Sequence, residues 1–157
     1  MNASHLAAMA AAVAALTAPA LGQDAAAQDA SAPTPAVAAP TSGKLTAVLL
    51  GDFEVPDDGD PDGKGSATIS IDGGNLCYEV EYHHLAPVTM AHIHAGGAGK
   101  AGEPVVILKL DPDENISGCT PIATDLAARL LAEPGEFYVN VHTPELPKGA
   151  IRGQLGK

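Results

Sequence analysis

Gly65-Ser66-Ala67-Thr68-Ile69-Ser70-Ile71-Asp72-Gly73-Gly74-Asn75-Leu76-Cys77-Tyr78-Glu79-Val80-Glu81-Tyr82 is the stretch whose reading decides the fold class. Ala67, Ile69 and Ile71 alternate with Ser66, Thr68 and Ser70, the period of two that sends successive side chains to opposite faces of a strand. Asp72-Gly73-Gly74-Asn75 then reads as a hairpin turn, because Gly and Asn tolerate positive φ. The returning run sets Leu76, Tyr78, Val80 and Tyr82 on one side and Cys77, Glu79 and Glu81 on the other. The two strands are expected to pair antiparallel.

From Lys44 onward the same grammar recurs, short β-rich runs broken by Gly, Pro, Asp and Asn, which predicts an all-β sandwich or barrel. Further strands are expected over 44–53, 88–95, 104–110, 137–142 and 150–155, with Val105-Val106-Ile107-Leu108 read as buried on both sides. One helical period, over 122–132 and stopped by Pro134-Gly135, predicts a single short crossover helix. Residues 44–157 number 114, enough for one core.

Ahead of this domain the segment 6–21 is apolar and Ala-rich and ends in small residues, Ala20-Leu21-Gly22. It is too short to span a bilayer, so a signal peptide over 1–22 is expected, although Met1-Asn2-Ala3-Ser4-His5 lacks the usual basic residue. Residues 23–43, mostly Ala, Pro, Gln, Asp, Ser and Thr, hold too little large apolar surface to offset their ordering entropy. They read as a disordered linker. The expectation is an exported chain, periplasmic or extracellular, with no transmembrane segment.

All eight Lys and Arg and 17 of the 19 Asp and Glu fall after residue 43, leaving a domain charge of −9. Such a surface, with two Phe, three Tyr and no Trp, repels phosphate backbones and offers few stacking platforms, which argues against nucleic acid as a partner. Two cysteines, Cys77 and Cys119, are most simply a disulfide in an oxidising compartment. Closing a loop of roughly 40 residues contributes about 3–4 kcal/mol in the chain-entropy model. Thiolate ligation of a metal is disfavoured, because neither Cys belongs to a paired Cys motif.

Two separated motifs carry the chemistry, Ala91-His92-Ile93-His94-Ala95-Gly96 and Tyr138-Val139-Asn140-Val141-His142-Thr143. Strand alternation puts His92 and His94 on one face, and His142 completes a three-nitrogen set if its strand packs alongside. The competing reading is structural, three histidines hydrogen-bonded to backbone and Asn140. Imidazole ligands in an exported protein favour copper over magnesium or calcium. His83 and His84 fall on opposite faces of a strand end and read as surface residues. Asp58-Gly59-Asp60-Pro61-Asp62-Gly63 starts like a calcium loop, but Ile69 stands where the bidentate Glu belongs, so it reads as an acidic turn. Gly96-Gly97-Ala98-Gly99 follows a strand without opening a helix and supports no nucleotide chemistry.

The order Leu76-Cys77-Tyr78, Ala91-His92-Ile93-His94-Ala95-Gly96, Gly102-Glu103-Pro104-Val105-Val106, Gly118-Cys119, Tyr138-Val139-Asn140-Val141-His142-Thr143 and Gly149-Ala150-Ile151-Arg152-Gly153-Gln154-Leu155 closely resembles the CHRD domain, the module first described in chordin and common in exported bacterial proteins. That resemblance implies an immunoglobulin-like Greek-key sandwich or barrel, similar to copper/zinc superoxide dismutase. In that enzyme a His-x-His strand, a loop His and a later His hold copper. His92 and His94 look like the first pair and His142 like the later one. No His lies between Ala95 and Val141, so the loop ligand and the zinc set are missing. Arg152 resembles the arginine that guides anions in such enzymes, while an alternating strand would instead pair it with Glu79 or Glu81. The expectation is an exported binding or structural module holding one metal ion, copper favoured, at His92, His94 and His142; the alternative is a copper-only superoxide dismutase-like oxidoreductase.

Overall fold

The computed structural model describes residues 40–85, 87–111, 113 and 115–157. The expected signal peptide, and residues 23–39 of the expected linker, lie outside the described residues. The first strand begins at Ser42, inside the segment that composition assigns to the linker.

Among the described residues eight strands form one antiparallel sheet. They are β1 (Ser42–Leu50), β2 (Lys64–Asp72), β3 (Asn75–His83), β4 (Met90–Ala95), β5 (Pro104–Leu108), β6 (Ile116–Pro121), β7 (Phe137–His142) and β8 (Ile151–Gln154). Their spatial order is β5-β4-β7-β8-β1-β2-β3-β6. The β3–β4 and β6–β7 connections join strands that are not neighbours, as in a Greek key, and the edge strands β5 and β6 approach until the sheet nearly closes. Near the seam the buried Tyr78 of β3 reaches the end of β5, its hydroxyl accepting the Lys109 N–H at 2.9 Å. The expected all-β barrel with one short helix is therefore the fold that forms.

The opening hairpin has the register its pattern implies, Asp72 opposite Asn75 and Ile69 opposite Tyr78. Gly73 takes φ +58°, a left-handed conformation that a residue without Cβ adopts at little cost. Ala67, Ile69, Ile71, Leu76, Tyr78 and Val80 all point into the core, joined there by Leu45 and Leu49 of β1, Ile93 of β4 and Val139 of β7. Each fully buried Leu or Ile contributes about 1.5–3 kcal/mol. The helix α1 (Thr124–Ala132) adds Ala127, Leu130 and Leu131, and Leu131 lies against Gly43 of β1.

The structure departs from the sequence reading in several places, the first strand ending at Leu50 rather than at Phe53. The run 104–110 is not a doubly buried central strand: β5 ends at Leu108 and lies at a sheet edge, with Ile107 66 % exposed. β6 was not anticipated, because Ile116-Ser117-Gly118-Cys119-Thr120-Pro121 has no alternating apolar pattern and leaves only Ile116 buried. The helix begins at Thr124, two residues later than its apolar period. The disulfide is present, with Cys77 of β3 directly opposite Cys119 of β6 and their Cα atoms 3.9 Å apart. No helix of the described residues is long and apolar enough to cross a membrane.

Candidate metal centre

Every residue of β7 is buried, although a barrel wall needs only one face inside. Phe137, Val139 and Val141 fill the core. Tyr138, Asn140 and His142 therefore face outward, where the register places His94, His92 and Met90 of β4 directly opposite them. Arg152 and Gln154 of β8 extend this row from the other side. The outer face of three adjacent strands is thus a polar layer, and its burial is completed by loops. Glu54 reaches it from the β1–β2 connection, Gly96 to Gly102 from the β4–β5 turn, and Pro147 from the β7–β8 turn.

His92, His94 and His142 come together within this layer. His92 Nδ1 stands 3.1 Å from His142 Nε2, and one nitrogen from each of the three rings lies within 4.8 Å of the others. Two nitrogens bound tetrahedrally at about 2.0–2.1 Å sit about 3.3 Å apart, so the His92–His142 pair already has nearly that spacing. The other ring nitrogens of His94 and His142 are tied to backbone. His94 Nδ1–H donates to the Gly102 carbonyl at 2.8 Å, and His142 Nδ1–H donates to the Pro147 carbonyl at 3.2 Å. Each such bond fixes the tautomer and leaves Nε2 as a lone pair, the outer-shell arrangement of a metal-binding histidine. His94 Nε2 is buried and has no hydrogen-bond partner among the described residues.

Burial, reinforced by repulsion from His92 and then His94, pushes the His142 pKa down to about 4. Burial also lowers His92, with His94 adding to the effect, and lowers His94 against the raising pull of the Gly102 carbonyl. Each shift favours the neutral ring, the form that ligates metal, and His142 keeps that form down to about pH 4.

Behind His94 stands a second layer. The Tyr138 ring stacks on it at 4.9 Å between centroids and 13° between planes. Arg152 in turn lies over the Tyr138 ring, its guanidinium carbon 3.4 Å from the centroid. Gly102 organises the group: its carbonyl accepts His94, and its N–H donates to the Tyr138 hydroxyl at 3.1 Å. Only glycine fits there, since a Cβ would sit 1.5 Å from the Ala95 carbonyl oxygen.

Arg152 does not pair with Glu79 or Glu81, because β8 lies between β7 and β1 while those acids project from β3. It is 2 % exposed, and its Nη2 donates to the carbonyls of Gly97 and Lys100 at 3.0 and 2.9 Å. Nearby, Asn140 Nδ2 donates to the buried carboxyl of Glu54. Burial raises the Glu54 pKa to about 7, against the pull of Arg152 and the Asn140 bond. Sequence reasoning missed Glu54, Gly102 and Tyr138 as parts of the site. The available signal was the alternation of 137–142 itself, which carries Tyr138, Asn140 and His142 on one face. His83 and His84 are exposed, as expected. In the acidic turn Asp60 Oδ1 accepts the N–H groups of Asp62 and Gly63.

Comparison with known families matches residues 45–155 to the CHRD domain. No curated protein and no solved structure matches the chain.

Proposed function

This chain belongs to the CHRD-domain family, and we propose that it is an exported binding module which holds one transition-metal ion, copper, through His92, His94 and His142. The observation that carries this reading is the His94 Nε2 atom, buried and without a partner among the described residues. A lone pair withdrawn from water with nothing to accept costs about 1–3 kcal/mol, a cost that a bound metal ion would remove. His94 and His142 have their Nδ1 atoms on the Gly102 and Pro147 carbonyls, which leaves Nε2 of each ring as the lone pair that a ligand would take. The residues fit a metal of the imidazole-preferring class, among which copper forms the strongest complexes. Bound copper would supply one-electron chemistry. Export is supported by the Cys77–Cys119 disulfide and by the apolar segment at 6–21.

A binding role fits better than rapid turnover of an anionic substrate, since such turnover relies on a positively lined approach. Arg152 is buried and committed to two carbonyls and the Tyr138 ring. The test is elemental analysis of the chain purified from its native compartment, followed by copper titration of wild type and a His92→Ala, His94→Ala double variant. One copper per chain, lost in the variant, is expected. A wild-type chain that takes up no stoichiometric transition metal at pH 7 overturns the reading.

A further inference from the structure

The three histidines leave a fourth position, and the structure offers a side chain for it. Met90, His92 and His94 alternate along β4 with Ala91 and Ile93, whose side chains fill the core. Met90 therefore projects from the same face as the two histidines. It also stands directly opposite His142 in the β4–β7 register, and the Cβ atoms of such pairs lie about 4.5–5.5 Å apart. Residue 90 is thus the neighbour of two of the three histidines, one along its own strand and one across. His92 and Met90 share the wall of an open cleft of about 440 Å³, with Ile107 of β5 on its other side. Ile107 is paired with His92 in the β4–β5 register. Met90 is 45 % exposed, so its three-torsion side chain is free to swing without disturbing the core.

We propose that the Met90 sulfur is the fourth ligand of the metal held by His92, His94 and His142, closing the site on its cleft side and selecting copper(I). This rests on the three-histidine reading above. A thioether is a soft, neutral donor that favours Cu(I), whereas Zn(II) is served well by imidazole and water. Met90 consequently affects one metal and not the other, a distinction that a packing role would not produce.

The experiment compares the full chain with Met90→Leu, a change of nearly equal volume at a half-exposed position that leaves folding intact. Cu(I) affinity is read by competition with a chromophoric Cu(I) chelator, Zn(II) affinity by calorimetry, and the ligand set by X-ray absorption of the Cu(I)-loaded protein. Wild type is expected to show sulfur scattering in addition to nitrogen. In Met90→Leu the sulfur signal disappears and Cu(I) binding weakens by about tenfold or more, while Zn(II) binding changes less than about twofold. Nitrogen-only scattering in wild type, with equal Cu(I) affinities in both proteins, removes Met90 from the site and leaves the three histidines standing. A wild-type chain that binds no copper, while native-like by its near-ultraviolet spectrum, overturns the three-histidine reading and the Met90 assignment together.

Discussion

Glu54→Gln is expected to stabilise this protein at alkaline pH and to do little in acid. The carboxyl is 8 % exposed, bonded by Asn140 and close to the Arg152 charge, yet burial dominates and raises its pKa from 4.5 to about 7. A group whose folded pKa is raised contributes stability that is fully present below its unfolded pKa and is lost as pH rises through the folded value. The window is therefore about pH 4.5 to 7. At 1.36 kcal/mol per unit, ionising Glu54 in place costs on the order of 3 kcal/mol, and somewhat less where water in the adjoining clefts screens the charge. Glutamine keeps an oxygen for the Asn140 N–H and never ionises. Against this, the variant forgoes attraction to Arg152 at high pH, an effect already contained in the net shift. Urea unfolding of both chains, metal-free and with the disulfide intact, should give nearly equal free energies at pH 4.5 and an advantage of about 2–3 kcal/mol to the variant at pH 8. The histidines titrate in both proteins and cancel in the difference. A difference that stays flat across the window, or favours wild type as pH rises, refutes the assignment of a buried, desolvated carboxyl.

His142 titrates with the opposite sign: its folded pKa of about 4 lies below the usual 6.5, so its contribution is present above pH 6.5 and lost as pH falls toward 4. Unfolding of metal-free wild type and His142→Gln should show the wild-type advantage shrinking over that interval; a constant offset counts against a buried neutral ring. Replacing both Cys77 and Cys119 by Ala opens a loop with a sequence separation of 42 and should lower stability by about 3–4 kcal/mol, read as a shift of the urea midpoint. An unchanged midpoint means that the bridge does not form in the protein. Copper-loaded protein should dismutate superoxide far below the diffusional ceiling of ~10⁸–10⁹ M⁻¹s⁻¹, because the domain charge is −9 and Arg152 is buried. A rate near that ceiling, abolished with His92 and His94, would replace the binding module by the oxidoreductase.

The legible part of the fold is the part where one face meets the core and the other meets water. β2 and β3 announce themselves because Ala67, Ile69 and Ile71 alternate with polar residues and Gly73-Gly74 allow the turn. β6 gives no such signal: on its exposed edge only Ile116 is buried, and its place is set by pairing with β3 and by Cys119. Val105-Val106-Ile107-Leu108 misleads for the converse reason. Its apolar run suggests a covered strand, but the barrel seam leaves Ile107 in solvent beside the cleft.

The site divides along the same physical line. Alternation and register are local properties, so His92, His94 and the outward face of 137–142 can be read from the chain, and β4–β7 pairing then brings His142 to them. What turns three histidines into a candidate ligand set is the roof above them. Gly102 accepts His94 only because the β4–β5 turn folds back until no Cβ is tolerated, and Pro147 reaches His142 because the β7–β8 turn closes over it. Neither contact has a sequence spacing that predicts it. The same roof explains why Arg152 is no guide for anions: with Gly97 and Lys100 carbonyls drawn over it and Tyr138 stacked against it, its charge serves the packing behind His94. The uncovered side is where His92 and Met90 border the cleft, so under the proposed assignment the identity of residue 90 would bear on which metal the three imidazoles hold.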